Sequence, residues 1–450
     1  MLKKILSVTC CLAIIAATGT GCSKSNQSTA SGSSKSVNLV FTAWGDSDIK
    51  KAEDADMISF HKKYPNINVK AIIIPNADYD TKITTMVAAH QQIDVSEQES
   101  ATIAYPLYEQ GKIEPLNKYL DSDKLFKKSD IVDSAFYMNE KDVVGVYWGA
   151  EVMTLFYSKK AFKDAGITVP PADPGKAWTW DEFVNIAKKL TIDKSGKNAT
   201  EAGFNPKDIK QYGFEMGKWW ASWGNFVYSN GGDYITSDNK FGLAQPSAYE
   251  AIQKVADLAN VDHVAPTPVA EKGLPGIDVA LSSGQYAMGI DGQWSCLNLG
   301  NSNVDFGTAA LPIMKKPVEQ AISGMLSIMK DSQNKDEAWT LLKYLEDPGV
   351  DIKLFKTGNL MPIQKSWLTQ PDLLSQWTGN AAHPAEYKDS VINSLLNYSV
   401  ASPTGKIKNF NNIMNIVNPA LDNVWLGKTS AEAAMKMIEP KVDPLIKGRR

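Results

Sequence analysis

Apolar and polar positions in the first half of the chain alternate between strand-like and helix-like spacing. Residues 37–43 alternate in the manner of a half-buried strand, and the apolar runs at 69–74 and 152–157 are typical of buried strands. The segment 48–64 has a helical composition and ends before Pro65, which cannot continue a helix. Strands that alternate with helices in this way predict an α/β fold whose sheet is largely parallel.

The middle of the chain continues this pattern and shows where helices begin and end. Residues 159–165 predict a short helix that Gly166 terminates. Thr179 and Glu182 are three residues apart and predict a capping box for a helix that continues to about Leu190. Short strands are also predicted at 94–95, 143–146 and 286–290, and further helices at 249–259 and 336–346.

Length and charge restrict the possible classes of protein. A chain of 450 residues exceeds the roughly 250–300 residues at which a single core stops growing, so two globular units are expected. Its 47 basic and 50 acidic residues nearly cancel, which argues against a nucleic-acid-binding protein. The hydrophobic content of 43% is ample for folded cores.

The N-terminus has the pattern of an exported protein. Two lysines precede an apolar run at 5–17, and small residues lead from there to Cys22. This order predicts a signal peptide at 1–21, which is too short to span a bilayer comfortably. Cys22 resembles the lipid-modified cysteine of bacterial lipoproteins, although Gly19 stands where those proteins usually have leucine.

The residues after Cys22 predict a flexible tether. The segment 23–36 is rich in serine and nearly devoid of apolar side chains, so it cannot bury enough surface to fold. We therefore expect residues 22–36 to connect a lipid anchor, on the outer face of the bacterial cell membrane, to the folded body. The alternative is an ordinary cleavage followed by a Cys22–Cys296 disulfide, which the flexible tail around Cys22 disfavours.

Sequence motifs for nucleotide, zinc and serine-hydrolase chemistry are missing from the chain. It has no Gly-x-Gly-x-x-Gly or P-loop motif, no His-Glu-x-x-His or Cys-x-x-Cys pair, and no Gly-x-Ser-x-Gly elbow. The run 193–198 has a weak similarity to a calcium loop but lacks its second acidic ligand, so a solvated turn is expected. No cofactor and no metal site is predicted.

Acidic residues near strand ends leave one enzymatic hypothesis open. Glu97 and Glu99 lie on one face of a predicted strand, and Glu151 adjoins another. A glycoside hydrolase uses two carboxylates about 5–10 Å apart. Carboxylates also accept hydrogen bonds from sugar hydroxyls without catalysis, so these residues indicate a saccharide site without deciding its chemistry.

Several of the 12 tryptophans stand at the ends of predicted elements. Trp44 ends the first strand, and Trp294 follows the strand predicted at 286–290. Because the carboxyl ends of strands in open α/β sheets face the ligand crevice, these two side chains are candidates for stacking on sugar rings. Trp219, Trp220 and Trp223 form a further aromatic group, whereas Trp178, Trp180 and Trp339 are expected in the core.

A series of short motifs follows one order and spacing across residues 37–440. The motifs are Phe41-Thr42-Ala43-Trp44, Tyr64-Pro65-Asn66-Ile67-Asn68-Val69, Tyr79-Asp80-Thr81-Lys82-Ile83, Gly111-Lys112-Ile113-Glu114-Pro115-Leu116, Leu155-Phe156-Tyr157-Ser158-Lys159, Trp178-Thr179-Trp180-Asp181-Glu182-Phe183, Asn230-Gly231-Gly232, Gly284-Gln285-Tyr286-Ala287-Met288, Gly292-Gln293-Trp294 and Ala338-Trp339. Together they resemble the family 1 extracellular solute-binding proteins of bacterial ABC transporters, which are related in pattern to maltose-binding protein.

The resemblance implies a type II periplasmic-binding-protein fold, with two α/β lobes and a ligand cleft between them. Hinge motion would close the lobes on a bound ligand. Three crossings of the chain between the lobes are expected, near 148–150, 323–326 and 357–362. The N-terminal lobe would then comprise 37–149 and 326–358, and the C-terminal lobe 150–325 and 359–450.

The resemblance also implies particular ligand contacts. Glu151 stands where maltose-binding protein has a sugar-contacting glutamate, and Trp294 where it has a stacking tryptophan. Asp46 matches an acidic contact in the first loop. Near the C-terminus relatives have another stacking tryptophan, but this chain reads Asn409-Phe410-Asn411 there and has no aligned tryptophan, so Asn409 is the candidate in that region. Looser matches are Glu97, Glu99, Trp219, Trp220 and Trp223.

The resemblance implies a monomeric carrier that binds a sugar, expected to be an oligosaccharide, and delivers it to a membrane permease without catalysis. One alternative is a surface lipoprotein glycoside hydrolase that uses Glu99 and Glu151. Another is a carrier of a sugar phosphate, which would need an arginine cluster. The chain disfavours the latter because Arg449 and Arg450 are its only arginines.

Overall fold

The structure, a computed structural model, describes residues 36–98, 101–302, 304–350 and 352–450. The predicted signal peptide, Cys22 and Glu99 lie outside the described residues, as does the predicted tether except for its last residue, Ser36. Among the residues that are described, no helix combines the length and the apolar character needed to cross a bilayer.

The described chain alternates strands and helices throughout. The strands are β1 (Val37–Trp44), β2 (Ile67–Ile74), β3 (Val95–Gln98), β4 (Ile113–Glu114), β5 (Phe136–Asn139), β6 (Asp142–Tyr147), β7 (Glu151–Ser158), β8 (Ile192–Asp193), β9 (Ile209–Gln211), β10 (Met288–Gly292), β11 (Phe306–Ala309), β12 (Glu319–Ile322), β13 (Met325–Met329) and β14 (Ser399–Ala401). The α-helices are α1 (Ser47–Lys63), α2 (Asn76–Ala88), α3 (Ala101–Glu109), α4 (Asn117–Ser122), α5 (Lys159–Ala165), α6 (Trp180–Leu190), α7 (Trp220–Ser229), α8 (Pro246–Asn260), α9 (Pro268–Glu271), α10 (Ile277–Ser283), α11 (Ser295–Asn301), α12 (Lys335–Leu345), α13 (Ile352–Lys356), α14 (Lys365–Thr369), α15 (Pro371–Leu374), α16 (Pro403–Lys406), α17 (Phe410–Trp425) and α18 (Ala431–Val442). Short 3-10 turns occur at Lys128–Asp130, Asp133–Ala135, Pro174–Lys176, Gly242–Ala244 and Asp443–Leu445, and π-helical turns at Lys388–Ile392 and Ser394–Tyr398.

The two main sheets divide the molecule into two lobes. The N-terminal lobe is built on a seven-stranded sheet of order β2-β1-β3-β13-β6-β5, with β4 also paired to β13. The C-terminal lobe is built on a five-stranded sheet of order β10-β7-β12-β14, with β11 also paired to β7. This arrangement is the two-lobed α/β fold that the sequence predicts.

The expectation of a largely parallel sheet is wrong. In the first sheet β1 runs parallel to β2 and β3, but β13 runs antiparallel to β3, β4 and β6. In the second sheet β7 runs antiparallel to β10, β11 and β12. The physical reason is that β13 reaches the first sheet from the second, and therefore enters it from the opposite end.

Two of the passages between the sheets are short and adjacent. The chain leaves β6 and enters β7 across residues 148–150, and it returns from β12 to β13 across 323–324. The Trp148 backbone N–H donates to the Gly324 carbonyl, so the two passages are hydrogen-bonded to each other. The Ala150 backbone exchanges both hydrogen bonds with Met361, which brings a third segment alongside them.

Beyond Met361 the chain keeps contact with the N-terminal lobe before it joins the second sheet. The Val132 N–H donates to the Ile363 carbonyl, and Lys365 pairs with Asp133 at 2.9 Å. Further on, Lys159 of the C-terminal lobe pairs with Glu386 at 3.2 Å. The lobe boundaries given from the sequence stay predictions.

Gly149 has a backbone geometry that the first passage requires. Its φ of 69° lies in the left-handed region, which is costly for residues with a Cβ. A Cβ at this position would meet the Leu360 side chain at 2.9 Å. The passage is therefore packed tightly against the third segment as well as hydrogen-bonded to it.

β7 is the central strand of the second lobe and is buried on both faces. Val152 and Phe156 contribute to the core that continues from the N-terminal lobe, whereas Met153, Leu155 and Tyr157 contribute to the core of the C-terminal lobe. Burial on both faces explains why the sequence shows a continuous apolar run here instead of an alternation.

Local predictions for the helices are confirmed in detail. Thr179 and Glu182 form the predicted capping box at the start of α6, and Gly166 ends α5 with a φ of 66°. Trp180 and Trp339 are buried as expected. Trp178 is half-buried and stacks on Phe162 with 6.2 Å between the ring centroids.

The loop at 193–205 is organised by one carboxylate. Asp193 accepts hydrogen bonds from the backbone N–H groups of Ser195, Lys197 and Asn205 and from the Ser195 hydroxyl. These donors, the Ser195 hydroxyl first among them, lower the pKa of Asp193 to about 2. Among the described residues no group of three potential metal ligands is found. The loop thus has the geometry of a self-contained turn.

Candidate ligand-binding cleft

A cleft of about 590 Å³ lies between the two lobes, within the range of known small-molecule sites. Both lobes and the passages between them contribute to its wall. The lining residues are Trp44, Ile49, Glu53, Glu97, Tyr137, Trp148, Glu151, Trp219, Trp220, Trp294, Ile322, Ser323, Gly324, Leu354, Asn359, Leu360, Ser402, Thr404 and Asn411.

The N-terminal lobe presents an aromatic ring beside acidic groups. Trp44 is the last residue of β1, and its side chain is 40% exposed. Its backbone N–H donates to Glu97 Oε2 at 3.1 Å, so the neighbouring strand β3 supplies a carboxylate to the same edge of the sheet. Ile49 and Glu53 lie four residues apart on α1, which puts both on the helix face that lines the cleft.

The C-terminal lobe presents three tryptophans, of which Trp219 contacts the other two. The Trp219 ring centroid lies 5.3 Å from that of Trp220 and 6.3 Å from that of Trp294. Trp220 is held edge-on against Phe410 at 5.8 Å, which fixes this group to α17. Trp219 is 39% exposed, so part of its ring is available to a ligand. Flat aromatic surfaces of this kind suit the apolar faces of sugar rings.

Glu151 is the first residue of β7 and lies where the chain enters the C-terminal lobe. Its side chain is half-buried, and no described residue donates a hydrogen bond to its carboxyl group or forms an ion pair with it. Burial raises the pKa of Glu151 to about 8. The cleft therefore contains a carboxyl group whose hydrogen-bonding capacity is not used by the protein.

Polar groups of the passages form the floor of the cleft. The Tyr137 hydroxyl donates to the Ser323 carbonyl at 2.7 Å, and the Ser323 hydroxyl donates to the Trp148 carbonyl at 3.2 Å. The Gln293 side chain donates to the Asn359 carbonyl at 2.8 Å. These bonds connect the floor to both lobes, so a relative movement of the lobes would change the geometry of the floor.

The charged side chains that line the cleft are all acidic. They are Glu53, Glu97 and Glu151, and no lysine, arginine or histidine appears among the described lining residues. An anionic ligand would meet no compensating cation on this wall.

Six of the candidate site residues come together in this cleft. They are Trp44, Glu97, Glu151, Trp219, Trp220 and Trp294. They share positions at the ends of strands or at the start of a helix, where side chains leave the sheet layers and reach the space between the lobes.

Three other candidates lie outside the lining. Asp46 accepts a hydrogen bond from the Ile49 N–H and caps α1. Trp223 is buried in the core of the C-terminal lobe, 5.4 Å from the Tyr234 ring. Asn409 adopts a φ of 65° and donates to the Leu445 carbonyl, while Asn411 lines the cleft in its place. Glu99 and Cys22 lie outside the described residues.

Most residues of the cleft floor were not among the candidates named from the sequence. Trp148 and Ser323 belong to predicted crossings, and residues at a crossing between lobes border the space between them. Their positions at the crossings could therefore have identified these two residues as part of the cleft. Tyr137, Thr404 and Leu354 carried no comparable local signal, because pairing between distant segments brings them to the cleft.

Comparisons with known proteins agree with this geometry. The profile of the bacterial extracellular solute-binding protein family matches residues 41–352. A protein of Brucella abortus (strain 2308) named as a binding protein is 23% identical over 399 residues, which cover 86% of this chain and 88% of that protein.

Solved structures show the same fold. The ABC substrate-binding protein Lmo0181 from Listeria monocytogenes, in complex with cycloalternan, has a TM-score of 0.74 at 22% identity over 91% of this chain and 99% of its own. The sugar-binding protein MalE from Xanthomonas citri has a TM-score of 0.74 at 21% identity over 91% and 97%. The chain described here belongs to the bacterial extracellular solute-binding protein family.

Proposed function

We propose that this protein captures a saccharide in the interlobe cleft and delivers it to a membrane permease of an ABC importer. The observation that carries the proposal is the pairing of an aromatic wall, formed by Trp219, Trp220 and Trp294, with the unpartnered carboxyl group of Glu151. Aromatic rings pack against the apolar faces of a sugar, and carboxylates accept hydrogen bonds from its hydroxyl groups.

Relatives with this fold support the same class of ligand. The structure from Listeria monocytogenes holds cycloalternan, and the Xanthomonas citri protein is a sugar-binding protein. The cleft wall favours an uncharged saccharide over a sugar phosphate, because no cationic side chain among the described lining residues would compensate the charge of a desolvated phosphate.

The transport role includes parts of the chain beyond the cleft. Cleavage after residue 21 would leave Cys22 as the lipid-bearing N-terminus, and residues 22–36 would tether the monomeric binding domain to the outer face of the cell membrane. The two lobes would close on the saccharide by hinge motion at the crossings, and the closed form would dock on the permease.

Catalysis is not part of the proposal. A glycoside hydrolase would need a second carboxyl group that acts with Glu151, and Glu97 and Glu99 are the sequence candidates. We expect purified protein to return every saccharide that it binds intact. Cleavage that disappears in Glu151→Gln would instead establish the hydrolase alternative.

A thermal-shift screen against neutral mono- and oligosaccharides, with uronates and sugar phosphates as anionic comparators, tests the ligand class. At a hundred times the dissociation constant, a ligand that binds only the folded state adds about 2.7 kcal/mol of stability, which corresponds to a shift of several degrees. Neutral saccharides should give the shifts. A panel in which only anionic sugars, or none, raise the melting temperature contradicts the proposal.

Calorimetry on variants then tests the cleft itself. Trp294→Ala removes apolar contact area and should weaken binding. Glu151→Ala removes a charge-assisted hydrogen bond of roughly 1.5–3 kcal/mol, so at a pH above the Glu151 pKa of about 8 it should weaken binding by about tenfold or more. Glu250→Gln is the control, because Glu250 is exposed on α8 and does not line the cleft. Wild-type affinity in folded Trp294→Ala and Glu151→Ala would remove the cleft assignment.

A further inference from the structure

A second point of contact between the lobes lies beside the cleft and centres on Arg450. Its backbone belongs to the C-terminal lobe. The Arg450 N–H donates to the Lys406 carbonyl at 2.8 Å, and the neighbouring Arg449 side chain pairs with Asp233 at 2.9 Å and donates to the Ile235 carbonyl at 2.7 Å. Ile235 belongs to the core of the C-terminal lobe, so the segment that carries Arg450 is fixed to that lobe.

The Arg450 side chain reaches the other lobe. Its guanidinium carbon lies 3.5 Å from the centroid of the Tyr105 ring, and its Nη1 lies 3.1 Å from Glu109 Oε1. Tyr105 and Glu109 are on α3, and Tyr105 is fully buried in the core of the N-terminal lobe. Only 7% of the Arg450 side chain is exposed.

The same tyrosine also holds a segment that lines the cleft. The Tyr105 hydroxyl lies 2.8 Å from the Gly405 carbonyl oxygen and 2.9 Å from the Met138 carbonyl oxygen, so its single proton is shared between these two acceptors. Gly405 is part of α16, and Ser402 and Thr404, on either side of the first residue of that helix, line the cleft. Tyr105 therefore connects Arg450, α16 and β5 at one place.

The stacking contact should dominate over the ion pair. Glu109 is 59% exposed, and an ion pair with one such partner contributes little because water and salt screen it. A guanidinium that is largely withdrawn from water and placed on a ring face interacts more strongly, and lysine does not reproduce its planar stacking.

We propose that Arg450 and Tyr105 form an interlobe latch that sets the relative orientation of the two lobes and positions Ser402 and Thr404 in the cleft wall. Both are positioning residues, since neither lines the cleft itself. The latch lies near the floor of the cleft, because the Tyr105 ring is 6.1 Å from the ring of Tyr137, whose hydroxyl donates to the Ser323 carbonyl there. Loss of a contact at that end should let the lobes separate more widely.

The first test measures the distance between the lobes in the absence of ligand. Ketone-bearing amino acids placed at exposed Lys62 on α1 and Lys428 after α17 accept spin labels without using the native cysteines. Pulsed EPR should show a distance distribution in Arg450→Gln about twofold wider than in wild type, with partial recovery in Arg450→Lys. The control Lys436→Gln removes the same charge from the same lobe and should match wild type, because Lys436 pairs with Glu432 of its own helix and lies 5.7 Å from the Tyr249 ring of α8.

Tyr105→Phe keeps the ring under Arg450 but frees the Gly405 carbonyl, so it tests the latch separately and without loss of charge. It should also broaden the distribution. A folded Arg450→Gln or Tyr105→Phe protein with the wild-type distribution overturns the proposal, and so does an equal broadening in Lys436→Gln. If Arg450→Gln fails to fold, Tyr105→Phe decides alone.

A binding measurement adds the consequence for function, and this arm rests on the proposed saccharide function. With maltotriose, cellotriose and xylotriose as probes, Arg450→Gln should bind about three- to tenfold more weakly, because fewer molecules hold the cleft in its competent geometry. Unchanged affinity for a probe that wild type binds overturns the positioning role of the latch. If wild type binds none of the three, this result counts against the saccharide proposal and not against the latch. The distance measurement then tests the latch without a ligand.

Discussion

At the scale of single residues, Glu151 combines a position in the cleft with a pKa that burial raises to about 8. At neutral pH the unliganded protein thus holds this side chain mainly as the acid. A saccharide whose hydroxyls donate to Glu151 favours the carboxylate, because charge-assisted hydrogen bonds are the stronger ones. Binding should therefore release a proton.

We predict that the affinity for a bound saccharide improves as the pH rises from 6 to 8. The gain should reach about tenfold or more, since the proton no longer has to be displaced above the pKa of the free protein. Isothermal titration calorimetry in buffers of different ionisation enthalpy measures both the affinity and the proton release. Glu151→Gln should remove the pH dependence. Weaker wild-type binding above pH 8 would show that the acid form donates instead.

Glu319 on β12 makes a related prediction about stability. Burial raises the pKa of this side chain to about 8, and the Ser394 hydroxyl donates to its Oε1 at 2.8 Å. Between the ordinary glutamate pKa and about 8, the folded state keeps a proton that the unfolded state loses. The free energy of unfolding should therefore fall as the pH rises through this window, by up to about 1.4 kcal/mol per pH unit for one such group.

Urea denaturation between pH 5 and 9 checks this prediction. Glu319→Gln, which keeps the shape without the charge, should flatten the dependence, whereas Glu250→Gln on the exposed face of α8 should leave it unchanged. An equally steep fall in Glu319→Gln would assign the effect to other buried acids, of which Glu215 has a pKa that burial raises to about 7.

At the scale of elements, the passage between β6 and β7 depends on two separate properties of Gly149. Its positive φ disfavours any residue with a Cβ, and the Leu360 side chain occupies the space that a Cβ would need. Gly166 offers a matched comparison. Its φ of 66° is nearly the same, but a Cβ there would meet no atom within 4 Å.

We predict that Gly166→Ala lowers the free energy of unfolding by about 1–2 kcal/mol, the cost of the left-handed conformation alone. Gly149→Ala should lower it by clearly more, because Leu360 must also move. Chemical denaturation of the two variants measures the difference. Equal losses of stability in the two variants would show that the Leu360 side chain moves aside at little cost and that the passage is not tightly packed.

Element predictions from the sequence succeeded where the signal was local. The capping box of α6 and the glycine that ends α5 involve residues within four positions of each other. The sheet directions could not be obtained in this way. The antiparallel pairing of β13 with β3 joins Ser327 to Ser96, and no local pattern records a contact over that separation.

At the scale of the whole molecule, the folded body spans 37–450 as one compact unit by its internal contacts. The location of the protein is predicted from the sequence before this body. There an apolar run, Cys22 and a serine-rich segment follow one another, which is the order expected of an exported lipoprotein.

We predict that Cys22→Ser releases the protein into the medium or leaves it unprocessed. Acyl chains contribute about 0.8 kcal/mol per buried CH₂ and hold a protein firmly only when more than one is present, so loss of the attachment site should abolish the anchor. Cell fractionation with metabolic labelling by a fatty acid measures both effects. Ser23→Ala is the control. Membrane association and processing that persist unchanged in Cys22→Ser contradict lipidation.

The α/β class, the family and several residues at element ends that line the cleft followed from the sequence alone. Trp44, Glu151 and Trp294 could be named in advance because each lies at or just beyond the end of a strand that borders the cleft. Hydrophobic periodicity, helix caps and the order of motifs depend on residues that are close in sequence, so they can be read from the sequence without the structure.

Which side chains of each group line the cleft became evident from the packing of the folded chain. It separated Trp219 and Trp220 from the buried Trp223, and it made Asp46 a helix cap. It also places the Arg450 side chain on the ring of Tyr105, which is 345 residues earlier in the sequence. The same side chain donates a hydrogen bond to Glu109, which is 341 residues earlier. Such outcomes depend on side-chain direction and on the pairing of distant segments, which are settled when the lobes pack and are not encoded in any local pattern.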